Sequence, residues 1–138
     1  MKPNVRAFLL SLLLIMPFAG QSSASASKII TISESSNGKR IQVATGSLLK
    51  ITLHSTYWAA GATTNLKPIG EPTITPIIPS DTSPANCRHP GTGCGTVVWS
   101  YKVIKKGSAI FSATRTSCGE ALRCTPDQML FKVNLKVK

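Results

Sequence analysis

The four cysteines are the residues whose spacing most directly implies chemistry. They form two close pairs in the sequence, Cys87 with Cys94 and Cys118 with Cys124. In an exported protein an even number of cysteines predicts disulfide bonds. The sequence leaves three connectivities open, but we favour the two local pairs because each would close a turn-rich loop between strand-like runs. Bridges over such short loops contribute roughly 2–3 kcal/mol each.

Groups suited to acid–base or nucleophilic catalysis are few and scattered. The acidic residues are Glu34, Glu71, Asp81, Glu120 and Asp127. They form no close pair for general acid–base work, and no Gly-x-Ser-x-Gly nucleophile elbow occurs. A zinc site would need Cys-x2-Cys pairs or histidines at ligand spacing, whereas the chain has only His54 and His89. We therefore expect neither an enzyme nor a bound metal or cofactor.

A loop rich in glycine lies between the first two cysteines and the strand that follows them. Residues 87–95, here called the glycine loop, read Cys-Arg-His-Pro-Gly-Thr-Gly-Cys-Gly. Three glycines and a proline exclude a helix or an interior strand. A disulfide would nevertheless hold this flexible sequence in one shape, which suggests a loop that is presented to a partner; the alternative is a loop that only turns the chain.

The first 26 residues have the features of a signal peptide. Lys2 and Arg6 supply the positive charge, residues 7–18 form an apolar run, and residues 24–26 read Ala-Ser-Ala. This order is typical of a cleaved leader, so we divide the chain into a signal peptide, 1–26, and one mature domain, 27–138. The apolar run is shorter than the ~20 residues of a membrane span. We expect an exported protein, periplasmic or extracellular, with no membrane span.

The formal net charge of the chain is +11, and removal of Lys2 and Arg6 would leave 11 − 2 = +9. Such a charge favours anionic partners, among them cell-envelope polymers. The basic residues are scattered, the longest run being Lys105-Lys106, and aromatic residues do not alternate with them as in a stacking platform. We therefore do not expect a nucleic-acid partner.

Alternation of apolar and polar residues dominates the mature domain and predicts strands. The predicted strands cover residues 28–33, 40–43, 48–54, 96–103, 108–115 and 131–137, with an edge strand at 73–78. Prolines make the region 59–92 a set of loops and edge segments. Trp99 alternates with other apolar residues and is expected in the core, whereas Trp58 suits either core or edge. About seven short strands indicate an all-β, immunoglobulin-like antiparallel β-sandwich.

The order of the strands places two loops at one end of this sandwich. Strand 96–103 runs away from the glycine loop and strand 108–115 returns. The loop at 116–127, here called the second disulfide loop, should therefore emerge beside the glycine loop. Loops on a rigid scaffold commonly carry binding residues.

The order of features resembles the chagasin family of cysteine-peptidase inhibitors. The resemblance runs from Lys28 to Val137 and rests on Asn37-Gly38, Gly46 before strand 48–54, Gly91-Thr92-Gly93, Gly107, and the closing Phe-x-Val-x-Leu-x-Val. It implies an immunoglobulin-like fold whose three loops at one end enter the cleft of papain-like peptidases. The family's Gly-x-Gly motif is present. Its Asn-Pro-Thr-Thr-Gly motif is absent after Leu53, and its Arg-Pro-Trp motif is replaced by Arg-Thr-Ser-Cys at 115–118.

The resemblance implies a monomeric, non-covalent inhibitor of a papain-like cysteine peptidase. The implied contact residues are Thr56, Tyr57, Gly91, Thr92, Gly93, Arg115 and Thr116. The alternative hypothesis is a basic, envelope-associated structural or adhesive module that binds an anionic cell-envelope polymer and inhibits nothing. The inhibitor hypothesis requires the segment 55–57, here called the middle loop, to form one contiguous rim with residues 91–95 and 116–126.

Overall fold

Period-two alternation of apolar residues directs one face of each long strand into a shared core. The computed structural model describes residues 27–138; the signal peptide expected at 1–26 lies outside the described residues. Eleven strands occur in chain order: β1 Ile29–Ile32, β2 Arg40–Val43, β3 Leu48–His54, β4 Ala59–Ala60, β5 Leu66–Pro68, β6 Thr73–Pro76, β7 Gly95–Val103, β8 Gly107–Thr114, β9 Ser117–Gly119, β10 Leu122–Arg123 and β11 Leu130–Val137. Short 3-10 helices occupy Glu34–Ser36, Ala85–Cys87 and Pro126–Gln128.

Two sheets pack face to face. The first has the strand order β1-β3-β7-β5, with β6 also pairing with β7, and the second has the order β2-β11-β8-β4. In the first sheet Ile51 of β3 lies opposite Trp99 of β7. In the second, Val133 of β11 lies opposite Phe111 of β8. The strands β9 and β10 form a separate hairpin. This arrangement confirms the all-β, immunoglobulin-like sandwich.

The sandwich differs from the expected one in strand direction and strand number. The pairs β1–β3 and β2–β11 are parallel. The reason is that the chain crosses to the other sheet after β1 and again after β2, and each of these two strands forms an edge of its sheet. The strand count is eleven rather than about seven because β4, β5, β9 and β10 have only two or three residues each. Runs this short carry no readable alternation. The edge strand predicted at 73–78 ends at Pro76.

Aromatic rings fill the centre of the core. The ring of Phe111 lies 5.6 Å from the ring of Trp99, 5.6 Å from that of Tyr101 and 6.2 Å from that of Phe131. Trp99 is buried, as predicted, and Trp58 is buried as well. These contacts join the two sheets, so the loops at the sandwich ends are mounted on a closely packed base. No helix among residues 27–138 is long and apolar enough to cross a membrane.

Candidate binding rim

The glycine loop is covalently closed where it enters strand β7. Cys87 and Cys94 form a disulfide with a Cα–Cα distance of 5.7 Å, and Cys87 is buried. The loop is tied to the sheet edge as well, since the amide of Ile77 donates to the carbonyl of Cys94 over 3.0 Å. Gly95 has φ +138°, and a Cβ on it would collide with the backbone of β6. Only glycine therefore fits at position 95, where the chain passes close to the backbone of β6.

The middle loop lies directly on the glycine loop. The amides of Ser55 and Thr56 donate to the carbonyls of Gly95 and Gly93, each over 2.8 Å. The ring of Tyr57 covers Gly93, and its hydroxyl donates to the carbonyl of Gly91. A Cβ on Gly93 would overlap the Tyr57 ring, so this glycine allows the two loops to pack closely. The arrangement brings together four of the residues expected to contact a peptidase.

Backbone strain occurs in the middle loop. Ser55 has φ +98°, a region that residues with a side chain rarely adopt. Such a conformation costs about 1–3 kcal/mol and persists only where neighbouring contacts hold it. Here the holding contacts are the bond from the Ser55 amide to Gly95 and a 3.3 Å bond from the Tyr57 amide to the Ser55 hydroxyl.

The second disulfide loop lies on the other side of the glycine loop. Cys118 and Cys124 are bonded with a Cα–Cα distance of 4.9 Å, so both favoured local pairs are present. The disulfide closes the β9–β10 hairpin. The Glu120 side chain at the tip of this hairpin is in van der Waals range of a Cβ placed on Gly91. The two pinned loops are therefore neighbours at one end, as the strand order predicted.

Arg115 joins the second disulfide loop to the core. Its guanidinium lies 4.4 Å from the centre of the Trp58 ring, and its Nε donates to the carbonyl of Gln128 over 3.0 Å. Burial lowers the pKa of Arg115, and the nearby charge of Glu34 partly offsets that effect. Because its charge is directed at an aromatic face and a carbonyl, Arg115 has an internal structural role beside any contact with a partner.

One groove connects the three loops. It has a volume of about 350 Å³, and its walls include Ser55, Thr92, Gly93, Arg115 and Cys118. The middle, glycine and second disulfide loops thus form one surface, here called the rim. A larger groove of about 480 Å³ runs along the side of the sandwich, outside the rim, past Trp99 and the exposed Ile74.

The candidate contact residues differ in their availability at the rim. Thr92 lines the groove, whereas Thr116 is exposed and faces a separate hollow on the other side of the hairpin. Tyr57 is half-buried because its ring packs on the glycine loop. Ile77 also lines the groove but was not predicted, and Ser55, which lines it too, was predicted as part of the middle loop but not as a contact residue. Nothing in the local sequence signals the positive φ of Ser55 or the approach of Ile77 from the proline-rich region.

The single contact of salt-bridge length within residues 27–138 lies beside the rim. The Glu34 carboxylate is 3.1 Å from His54 Nδ1 and also accepts from the His54 backbone amide. Burial raises the pKa of Glu34, but hydrogen bonds from the backbone amides of His54 and Glu34 and from the His54 ring together lower it below its usual 4.5. His89, the other histidine, is exposed in the glycine loop. No group of three His, Cys, Asp or Glu in the described part of the chain is placed to hold a metal.

Comparison with known proteins identifies the fold. No protein-family model matches the chain, and no curated protein matches it in sequence. Among solved structures, amebosin is similar with a TM-score of 0.50 and 14% identity, over 82% of this chain and 100% of amebosin. A cysteine protease inhibitor from Entamoeba histolytica, EhICP2, is similar with a TM-score of 0.48 and 11% identity, over 81% of this chain and 97% of that chain. At an identity this low the structural similarity shows the fold alone, which the chain shares with amebosin.

Proposed function

We propose that the protein is an exported, non-covalent inhibitor of papain-like cysteine peptidases that inserts its rim into the substrate cleft. The observation that carries this proposal is the contiguity of the three loops. The middle loop bonds to Gly93 and Gly95, and the second disulfide loop contacts Gly91. A single groove joins all three. The inhibitor hypothesis required this arrangement, and a middle loop placed elsewhere would have excluded it.

The construction of the rim suits this mode of binding. The rim is ordered in the absence of a partner. Two disulfides and hydrogen bonds between the loops fix its shape, and glycines with positive φ allow its tight turns. A surface that is already ordered loses little conformational entropy on docking, where each newly immobilised side chain costs about 0.5–1.5 kcal/mol. Backbone groups of a rigid loop can then occupy a cleft without any reactive side chain. Two disulfides are also compatible with export to an oxidising compartment.

The test is titration of papain and of a cathepsin with the purified protein. Loss of peptidase activity should follow a tight-binding curve and reverse on dilution. The intact mass of the protein should be unchanged afterwards, because the proposed contact is non-covalent. Unchanged activity of both peptidases at low micromolar inhibitor would exclude a general inhibitor of this class, and a covalent adduct would exclude the mechanism.

A matched pair of variants locates the inhibitory surface. Thr92→Arg places a long charged side chain in the groove, and Ser108→Arg adds the same charge on an exposed residue at the opposite end of β8. Thr92→Arg should weaken inhibition at least ten-fold, about 1.4 kcal/mol, while Ser108→Arg should match the wild type. Should Thr92→Arg fail to fold, Asn86→Arg takes its place, because Asn86 is exposed and also lines the groove. Equal inhibition by rim and control variants would refute docking through the rim.

A further inference from the structure

The end of the sandwich opposite the rim has an unusual charge. Here β7 ends, β8 begins, β11 ends and β3 begins. Exposed lysines surround this end: Lys28, Lys102, Lys105, Lys106, Lys136 and Lys138. A seventh, Lys67, lies directly across from Lys102 in the neighbouring strand. We call this surface the lysine end. Like charges placed opposite one another in a sheet are destabilising, so folding stability does not explain the arrangement.

The acidic side chains of the described residues all lie elsewhere. Glu34 bonds to the last residue of β3, Glu120 lies in the second disulfide loop, and Asp127 precedes β11, so these three are at the rim end. Asp81 lies in the connection between β6 and the glycine loop, and Glu71 in the β5–β6 turn beside the middle of β7. The only contact of salt-bridge length between an acidic and a basic side chain within residues 27–138 is at the rim end. The lysine end therefore presents uncompensated side-chain charge.

Two apolar side chains project among these lysines. Ile104 follows β7 directly before Lys105 and Lys106 and is 52% exposed. Ile29 follows Lys28 and is 65% exposed. A soluble anionic polymer would use only the charge of such a surface. The interface of an anionic bilayer attracts the lysines and also accommodates apolar side chains at the headgroup boundary.

The geometry points to the lysine end as a docking surface for a bilayer that contains anionic lipid. Seven of its cationic groups are lysines, which act as mobile point charges rather than as forks for one defined phosphate, and a single arginine, Arg40, lies at its margin in a hollow that it shares with Lys136. Strand β7 runs the length of the sandwich in nine residues, which corresponds to about 30 Å at the usual rise. A protein docked in this way holds its rim about 30 Å above the surface, facing away from it. The inference does not depend on the rim's own partner.

The experiment is co-sedimentation of the purified protein with vesicles of phosphatidylcholine containing or lacking phosphatidylglycerol. We expect binding only when phosphatidylglycerol is present, and release between about 0.15 M and about 1 M salt, as the Debye length falls from about 8 to about 3 Å. The triple variant Lys105→Gln, Lys106→Gln, Lys136→Gln should bind about 100-fold more weakly, since each lysine near an anionic bilayer contributes roughly a five-fold factor. No wild-type binding to these vesicles would overturn the proposal.

The control has the same net charge but keeps the lysine end intact. Lys39→Gln, Lys132→Gln and Arg123→Gln remove three exposed charges outside that end, and this triple should bind vesicles nearly as the wild type does. An equal loss in both triples would show attraction by total charge and overturn the assignment to one end. Circular dichroism of both triples checks folding. No peptidase is present, so this result is independent of inhibition.

A single apolar substitution separates lipid from polymer. Ile104→Ser should weaken binding to phosphatidylglycerol vesicles several-fold and leave binding to soluble polyphosphate unchanged. Because the Ile104 side chain is exposed, this substitution should not destabilise the fold. If the wild type bound polyphosphate but not vesicles, or if Ile104→Ser had no effect on vesicle binding, the partner would be an anionic polymer and the bilayer assignment would be wrong.

Discussion

The contact between Gly93 and Tyr57 can be tested by adding one methyl group. Gly93 has φ +66°, and its missing side chain leaves the space that the Tyr57 ring occupies. Gly93→Ala should therefore strain the backbone and also push the ring away. Gly91→Ala is the matched control. Gly91 has a similar φ of +77°, but a Cβ there meets only the Glu120 side chain at ordinary contact distance.

The expected cost follows from these contacts. A residue with a Cβ in the left-handed region costs about 1–2 kcal/mol, and this cost applies to both variants. Displacing the Tyr57 ring from Gly93 removes its hydroxyl bond to the Gly91 carbonyl, a loss of about 1 kcal/mol. Loss of ring packing adds a similar amount, at about 25 cal/mol for each Å² of apolar surface exposed. Gly91→Ala should thus lose about 1–2 kcal/mol and Gly93→Ala about 3–4 kcal/mol.

Denaturant unfolding followed by far-ultraviolet circular dichroism measures these free energies. Hydrogen exchange of the Thr56 amide is the local readout, because that amide donates to the Gly93 carbonyl. It should exchange faster in Gly93→Ala than in Gly91→Ala. The Tyr57→Ala background completes the cycle: there the extra cost of Gly93→Ala should disappear. Equal costs of the two alanine variants, or an excess that persists without the tyrosine ring, would refute the packing argument.

Three further predictions concern the elements that support the rim. Replacing Cys118 and Cys124 with serine should lower the unfolding free energy by about 2–3 kcal/mol while circular dichroism keeps its β-sheet form, because this bridge does not link the two sheets. Arg115→Gln should cost about 1–2 kcal/mol in denaturant unfolding and shift the fluorescence of Trp58, whereas an unchanged spectrum would argue against the stacked guanidinium. The pKa of Glu34 is lowered in the folded state, so its contribution is present above pH 4.5 and is lost as pH falls through the lowered pKa. The unfolding free energies of wild type and Glu34→Gln should consequently differ at pH 7, by less than about 1 kcal/mol because the pair is partly exposed. The two values should converge at strongly acidic pH.

Sequence periodicity located the long strands well. The predictions 40–43 and 48–54 agree with β2 and β3 to the residue, since alternation and a following turn define both ends locally. Strand β5 was missed because three residues ending in a proline carry no pattern. The parallel pairing of β1 with β3 and of β2 with β11 was also missed. The alternation within a strand shows which face is buried but not which strand it pairs with.

The location of the candidate site could be predicted from the sequence, but the contacts within it could not. Cysteine spacing and strand direction placed the glycine loop and the second disulfide loop at one end. The orientation of Tyr57 was not predictable, because its ring is directed by glycines about 35 positions further along the chain. The sequence also left the cysteine pairing open, because the pairing depends on whether the fold brings residues 87 and 94 close to residues 118 and 124.

The parallel pair β2–β11 has a consequence for how the chain is made. Arg40 is in register with Asn134, 134 − 40 = 94 positions later, and β2 has no other partner in its sheet. Strand β2 therefore stays unpaired until β11 is available, and the second sheet cannot be completed before then, although β4 can already pair with β8. Such long-range pairing slows folding. A nascent chain that lacks β11 therefore has one sheet whose strands can all pair, while the core of the sandwich stays uncovered on the side of the second sheet until β11 is made.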